Sequence, residues 1–370
     1  MYFFNLDYKE KDDTVHKGMH HLSGVYIKEE SPATIDGITY YCFKMVYPQK
    51  DREYFVEDKK EYNEWVSRIS KAIGFVDLSI KYEIGQKLGN GKFGLVKLAV
   101  NKQNGTKVAA KFMSKKEMTN TDLELARTEI EILKVCQHPN IIKIYDVFEN
   151  NDSFYIFMEY CDGGDLFTRL EKTKFKIPEK KAANYIHQIL AAIFYLHEYG
   201  ITHRDLKPEN ILMSDKTDDA ELKLIDFGLS KIIGPNETCT EPYGTLSYVA
   251  PEVLLEKPYN KQVDMWIVGI MAYLFCVGFL PFDHKDEREI AKMTMCDPTP
   301  FPQSYWSKVS TDAKLFVDAC LQKNPNKRLT IKDALVHPWI KKFEDPNIIE
   351  KRKLSKTSNN QFEVFTNIHT

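Results

Sequence analysis

The sequence predicts an α+β protein with a small β-rich lobe, a large α-helical lobe and, ahead of both, a small β domain closed by a helix. Three observations carry this. At 370 residues the chain is too long for one ordinary core and suits two unequal domains. As far as Lys111 it is dominated by runs rich in β-branched and aromatic residues. Beyond Gly164 the apolar residues recur at helical spacing, with loops rich in Pro, Asn and Asp between them.

The elements follow in order. Gly37 to Tyr47 reads as a strand stopped by Pro48, and Glu53 to Val56 as its hairpin partner. From Asp58 to Ile73, Tyr62, Trp65, Val66, Ile69 and Ile73 share one helical face, which must pack on those strands. Residues 1–76 are assigned to this first domain. Tyr82 to Lys111 is Gly-rich and strand-like, and Leu123, Ala126, Ile130 and Leu133 mark a helix over Asp122 to Val135. Further helices are expected at Glu179 to Tyr199, Val263 to Phe279 and Thr311 to Gln322. Residues 341–370 form a polar tail in which Lys351, Arg352, Lys353 and Lys356 lie close together. No fixed-period repeat is present, which excludes solenoids and coiled coils.

Composition narrows the function. A net charge of −2 provides no field to draw the chain onto nucleic acid, which is therefore excluded as a partner. The seven cysteines are odd in number and scattered, with no C-x-x-C pair for zinc, as suits a reducing compartment. The N-terminus lacks the basic start and apolar core of a signal peptide, so a cytoplasmic location is expected, with peripheral attachment to a membrane as the alternative. Met265 to Phe282 is an uncharged run of 18 residues, the minimum for a membrane span. Gly269, Gly278 and Pro281 within it and Asp264 before it favour a helix buried in a core.

Four stretches carry chemistry. Gly89-Asn90-Gly91-Lys92-Phe93-Gly94 is a G-x-G-x-x-G loop whose glycines let backbone approach phosphate oxygens. Its continuation Leu95-Val96-Lys97-Leu98 is a strand and not a helix, which disfavours a dinucleotide-binding turn, although an isolated loop of this kind is also an ordinary turn. Lys111 ends the apolar strand Val108-Ala109-Ala110, where an ammonium can meet α- and β-phosphates, and Glu129 lies beside the apolar stripe of the next helix, positioned to orient it. His203-Arg204-Asp205-Leu206-Lys207-Pro208-Glu209-Asn210 packs six polar groups between two apolar segments. Asp205 can take the proton of an attacking hydroxyl, Lys207 can face the transferred phosphoryl, and Asn210 can offer its carbonyl oxygen to Mg2+. Asp226, ending the strand before Phe227-Gly228, is a second candidate metal ligand.

Taken in order, with Ala250-Pro251-Glu252 behind them, these motifs resemble the eukaryotic protein kinase family over Tyr82 to Ile340. The resemblance implies a two-lobed kinase fold with ATP and Mg2+ in the cleft. It implies that ATP lies against Leu88, Gly89, Asn90, Gly91, Lys92, Phe93, Gly94, Leu95, Val96, Ala109, Lys111, Asp165 and Leu212, with Met158 as gatekeeper and Glu159 to Cys161 as the adenine-bonding hinge. It further implies catalysis by Asp205, Lys207, Lys111 and Glu129, metal binding by Asn210 and Asp226, stacking of Leu133, His203 and Phe227, and a pair between Glu252 and Arg328. Asp264 and Trp266 match the family's buried anchor helix. Lys207 and Thr245 resemble the serine/threonine branch, and Glu159-Tyr160-Cys161-Asp162-Gly163-Gly164-Asp165-Leu166-Phe167 with His337-Pro338-Trp339-Ile340 the calcium/calmodulin-dependent group. Substrates are then proteins bearing Ser or Thr, contacted by Asp165, Glu209 and Thr245, with basic residues favoured N-terminal to the target.

For regulation, the same resemblance makes Thr238 and Thr240 candidate phosphorylation sites facing Arg204, while Glu241 stands where a carboxylate can substitute for phosphate. The first domain resembles a pleckstrin-homology domain lacking its first two strands, with Tyr2-Phe3-Phe4 as the third and Trp65 on the closing helix; its partner is a phosphoinositide or a protein. No D-x-[DN]-x-[DN]-G calcium loop is present, and the basic tail lacks a clear apolar face for calmodulin. The alternatives to an active kinase are an inactive scaffold of the same fold and a membrane-recruited adaptor.

Overall fold

The computed structural model describes residues 2–5, 18–21, 26–35, 37–46, 51–72, 81–91, 94–149, 153–234 and 237–343. The chain forms two compact units, Met1–Leu123 with Ile144–Tyr160, and Glu124–Lys143 with Cys161–Thr370. The expected first domain and β-rich lobe thus fall into one unit.

In the first unit, β1 (Tyr2–Asn5) pairs antiparallel with β2 (Gly18–His21). β3 (Tyr26–Ile35), β4 (Ile38–Val46) and β5 (Asp51–Val56) form a three-stranded antiparallel sheet. Alternation along β4 turns Phe43 and Met45 inward, and α1 (Lys59–Ala72) lays Tyr62, Trp65, Val66 and Ile69 on them. The predicted face is therefore the packing face; Ile73 lies outside the described residues. Asp58 starts the helix by accepting from Glu61 N at 2.8 Å, and Tyr62 Oη donates to Glu29 on β3 at 3.0 Å. β3 escaped sequence reading because Ser31 and Pro32 interrupt its alternation. The register shifts there, between Glu30 and Ala33, and a bulge on an edge strand tolerates a residue without an N–H.

The same unit holds a five-stranded antiparallel sheet in the order β6-β7-β8-β10-β9, from β6 (Tyr82–Gly91), β7 (Gly94–Asn101), β8 (Lys107–Ser114), β9 (Ile144–Glu149) and β10 (Ser153–Glu159). Its core stacks Tyr82 on Phe157 at 3.9 Å, with Phe148 edge-on at 5.6 Å. Gly94 cannot carry a side chain: a Cβ there would lie 1.9 Å from the Phe112 carbonyl oxygen on β8. α2 (Asn120–Val135) starts at the end of this unit's first segment and belongs from Glu124 on to the second unit; it buries Ala126, Ile130 and Leu133, as its spacing predicts, together with Glu129, and leaves Glu131 exposed.

The second unit is mainly helical: α3 (Leu166–Lys172), α4 (Glu179–Glu198), α5 (Pro251–Leu254), α6 (Gln262–Val277), α7 (Glu287–Cys296), α8 (Gln303–Trp306), α9 (Thr311–Cys320), α10 (Ile331–Val336) and α11 (Pro338–Lys342). α6 is the uncharged run. It is buried from Val263 to Phe275, packs against α4 and α9, and ends where Gly278 takes φ +88°. Among the described residues no helix is long and apolar enough to cross a membrane. α11 extends to Lys342, so the start of the predicted tail is helical, and residues 344–370 lie outside the described residues. Two short antiparallel pairs, β11 (Ile201–Thr202) with β14 (Lys231–Ile232) and β12 (Ile211–Met213) with β13 (Leu222–Leu224), frame the loop His203–Asn210 and the strand end before Asp226. Arg328 grips Glu252 through both terminal nitrogens at 2.7 and 2.9 Å in a fully buried pair, tying the loop after α9 to α5.

Candidate active site

The loop between β11 and β12 is held from behind by one buried carboxylate. Asp264 on α6, wholly inaccessible, accepts from His203 N at 3.0 Å, Arg204 N at 2.9 Å and His197 Nε2 at 2.8 Å. Burial alone would raise its pKa, but the hydrogen bond from His197 and the neighbouring charges outweigh it and hold the carboxyl below the usual range. Arg204 needs this support, since its φ of +70° is a left-handed conformation costing a non-glycine residue about 1–3 kcal/mol. His203 is fully buried, burial lowers its pKa, and its ring sits 4.9 Å from that of Phe227, as the predicted stack requires.

Three side chains aim the carboxylate of Asp205. Asn210 Nδ2 donates to its Oδ2 at 3.0 Å and to its backbone oxygen at 2.9 Å. Thr245 Oγ1 donates to Oδ1 at 2.9 Å and accepts from Lys207 Nζ at 2.8 Å, while Lys207 also pairs with Oδ2 at 2.9 Å. With its nitrogen committed to Asp205, Asn210 presents its carbonyl oxygen on the opposite side of the amide. Asp226 is exposed and takes a hydrogen bond from Gly228 N at 3.0 Å. Gly228 also brings Glu129 close: a Cβ on it would be 3.9 Å from Glu129 Oε2. Asp165 has a structural duty that sequence reading missed, accepting from Thr168 N at 2.7 Å as the N-cap of α3; its backbone bridges to Leu212. Glu209 is exposed, and Cys161 and Leu212 are half-buried.

In the first unit the register of the sheet collects the remaining predicted residues. Lys111 stands opposite Val96 and Ile156, and Ala109 opposite Leu98 and Met158. Opposed residues share a face and residues two apart share a face, so Val96, Ala109, Lys111 and Met158 line one side of the sheet. Leu88, Gly89, Asn90 and Gly91 end β6, and Gly94 and Leu95 begin β7, with Gly91 paired to Gly94. Lys92 and Phe93 lie outside the described residues. Glu159 closes β10.

The first unit thus holds a glycine-rich turn and a lysine on one sheet face, and the second a hydrogen-bonded Asp-Lys-Asn-Thr cluster and an exposed second aspartate. The protein kinase domain family matches residues 82–340. The chain belongs to the protein kinase family. The kinase is 40% identical over 290 residues to calcium-dependent protein kinase 5 of Plasmodium falciparum, covering 78% of this chain and 50% of that one. It is 40% identical over 275 residues to myosin light chain kinase A of Dictyostelium discoideum (74% of this chain, 93% of the relative), and 35% identical over 323 residues to calcium-dependent protein kinase 7 of Arabidopsis thaliana (87% and 60%). The chain thus spans about half the length of the Plasmodium relative, and its kinase domain is of the serine/threonine type.

In the kinase's segment from Asp226 to Glu252, Arg204 meets Glu241. Its Nη1 lies 3.0 Å from Glu241 Oε2, 3.1 Å from Cys239 Sγ and 3.2 Å from Tyr259 Oη, and Lys231 Nζ reaches Glu241 Oε1 at 2.5 Å. Cys239 Sγ also donates to Glu241, and Tyr243 stacks over the guanidinium at 5.0 Å. The hydrogen bonds from Cys239, Lys231 and Arg204 pull the Glu241 pKa down to about 2. Thr238 and Thr240 are exposed. Lys231, Cys239 and Tyr259 were missed by sequence reading, because no spacing links residues brought together only by tertiary structure.

Proposed function

We propose that the protein transfers the γ-phosphoryl group of ATP to Ser or Thr hydroxyls of protein substrates. The observation that carries this reading is the Asp205 carboxylate, fixed by Asn210, Thr245 and Lys207 in a side chain that keeps 11% exposure. In the reaction the substrate oxygen attacks the γ-phosphorus, the bond to the β-phosphate oxygen breaks with its electron pair leaving on ADP, and the hydroxyl proton passes to Asp205. Lys207 faces the charge that develops on the transferred group. The family resemblance assigns Lys111 and Glu129 to the α- and β-phosphates, the glycine-rich turn to covering them, and Met158, Glu159 and Cys161 to the adenine. The carbonyl oxygen of Asn210 and the exposed carboxylate of Asp226 are hard oxygen donors, which suits Mg2+. When bound, that ion neutralises charge on the β- and γ-phosphates.

Exposed Glu209 and half-exposed Asp165 support a preference for basic residues N-terminal to the target. The Arg204–Glu241–Lys231 cluster supports an activation segment held by its own carboxylate, so that phosphate on Thr238 or Thr240 is dispensable. The β3–β5 meander with Trp65 of α1 on it supports the pleckstrin-homology-like reading of the N-terminal module, and with it a phosphoinositide or protein partner and peripheral attachment to a membrane.

The test is transfer from radiolabelled ATP with magnesium to an Arg-containing Ser/Thr peptide, with and without calcium-calmodulin, comparing the wild type with Asp205→Asn. Transfer abolished in the variant is expected. Undiminished transfer by a folded Asp205→Asn protein overturns the mechanism, and ATP binding with no transfer by the wild type favours the scaffold alternative.

A further inference from the structure

Lys323, in the loop after α9, has no part in the chemistry above, yet it is tied to the wall beside Thr245. Its Nζ donates to the Thr294 carbonyl at 2.7 Å and reaches that of Met293 at 3.4 Å, both in the last turn of α7. Met293 already accepts from Asp297 N, so Lys323 gives Thr294 the partner that a helix end leaves out. The ammonium also stands 4.0 Å over the Phe282 ring, in the loop leading into α7, and 4.9 Å over Trp266 of α6. One cation therefore meets the negative end of the α7 dipole and the negative faces of two stacked rings.

α7 packs in turn against α5 and against the turn Leu246–Tyr248, which directly follows Thr245. Thr245 is fixed independently by Asp205 and Lys207, so movement of α7 falls on the turn and not on the catalytic carboxylate.

We propose that Lys323 is a positioning residue for the peptide substrate, fixing α7 and through it the Leu246–Tyr248 turn, which directly follows Thr245, the residue that the resemblance assigns to substrate contact. The proposal rests on the phosphotransferase reading. It separates binding from chemistry: loss of the ammonium raises KM for the peptide and leaves kcat and KM for ATP in place. It also adds a pH dependence. Burial lowers the Lys323 pKa to about 8, with Asp297 and the Cys296 thiol acting to raise it and Arg328 to lower it further. As pH rises through that value the charge is lost, and with it the attraction to the α7 dipole and the two rings, while the neutral amine keeps an N–H for the Thr294 carbonyl; peptide KM climbs as the charge goes.

The experiment measures kcat and both KM values from about pH 7 to about pH 9 for the wild type, Lys323→Met and Lys323→Arg. Lys323→Met retains the apolar stem over the rings without the charge, and at about pH 7 its peptide KM is expected to be about fivefold higher. The wild type, whose neutral amine still donates to Thr294, is expected to climb by part of that factor across the range, and Lys323→Arg, charged throughout, to stay flat. Burying a charge is itself costly, so thermal stability of Lys323→Met is not expected to fall in parallel, which separates positioning from a merely structural role. Wild-type peptide KM in Lys323→Met overturns the proposal, as does an alkaline rise that Lys323→Arg reproduces. Should Lys323→Met not fold, the comparison of wild type with Lys323→Arg decides alone. Failure of the phosphotransferase reading is distinct, since it shows as no transfer by the wild type at any pH.

Discussion

Replacing Thr245 by Val removes one oxygen and little volume, and its effect can be worked from the contacts. Oγ1 donates to Asp205 at 2.9 Å and accepts from Lys207 at 2.8 Å. A hydrogen bond to a charged group is worth about 1.5–3 kcal/mol. Lys207 and Asp205 retain their direct contact at 2.9 Å in the variant, so the two losses are not additive, and about 2 kcal/mol of aim at the carboxylate is removed. If that aim matters in the transition state, kcat falls about 30-fold. Thr245→Ser restores the oxygen and is expected within about threefold of the wild type. Initial rates on a saturating Ser peptide provide the measurement, with denaturant unfolding to establish that each variant is folded. A folded Thr245→Val enzyme with wild-type kcat would refute the claim that this hydroxyl orients Asp205.

Glu252→Gln leaves the fully buried Arg328 guanidinium without its counter-charge and is expected to cost about 3–5 kcal/mol in urea unfolding, whereas replacing both residues by Met should recover part of the loss; an unchanged midpoint in the single variant contradicts the pairing. Gly94→Ala forces a Cβ against the Phe112 carbonyl oxygen, and an overpacking cost of about 1–3 kcal/mol is expected even with ATP absent, so a variant of normal stability and weakened ATP binding would mean the glycine serves phosphate alone. Thr238→Val with Thr240→Val is expected to keep activity and Glu241→Ala to lose it, the opposite ranking being what a phosphate-dependent segment gives. The Glu241 carboxyl titrates below its ordinary value, so its contribution to stability is complete above that ordinary value, about pH 4.5, and is lost as pH falls through about 2; a carboxyl resonance of Glu241 that titrates near 4.5 counts against the clamp.

What was legible in the sequence was the chemistry that must sit in one short stretch. Asp205, Lys207 and Asn210 fall within one loop of the sequence, and the structure gathers the same three into one hydrogen-bonded cluster. The helical faces of α1 and α2 were legible for a different reason: a stripe that must be buried leaves a period. Glu241 was noticed by position, but of its partners only Cys239 is local, two residues before it, while Lys231 and Tyr259 are 10 and 18 residues away and no local pattern encodes their meeting. Asp165 was assigned to ligand contacts because the motif carries an acid there, while the N-cap that the same acid makes for α3 needs the backbone to be seen. β3 was hidden by a proline that a register shift accommodates.

The two aspartates at the centre of the second unit show how one side chain can serve opposite ends. A carboxylate has about four acceptor sites. Asp264 receives two backbone N–H groups and a histidine, and its remaining site is sealed at zero exposure, so nothing from solution can compete with its hold on the strained loop at Arg204. Asp205 also receives three donors, one on Oδ1 and two on Oδ2, but its side chain is 11% exposed. The side chain is therefore within reach of solution, and Thr245, which donates to Oδ1, also accepts from Lys207. On the proposed mechanism an incoming hydroxyl would meet the carboxylate with that cation beside it. Burial, more than residue type, makes one aspartate a brace and leaves the other able to accept a proton.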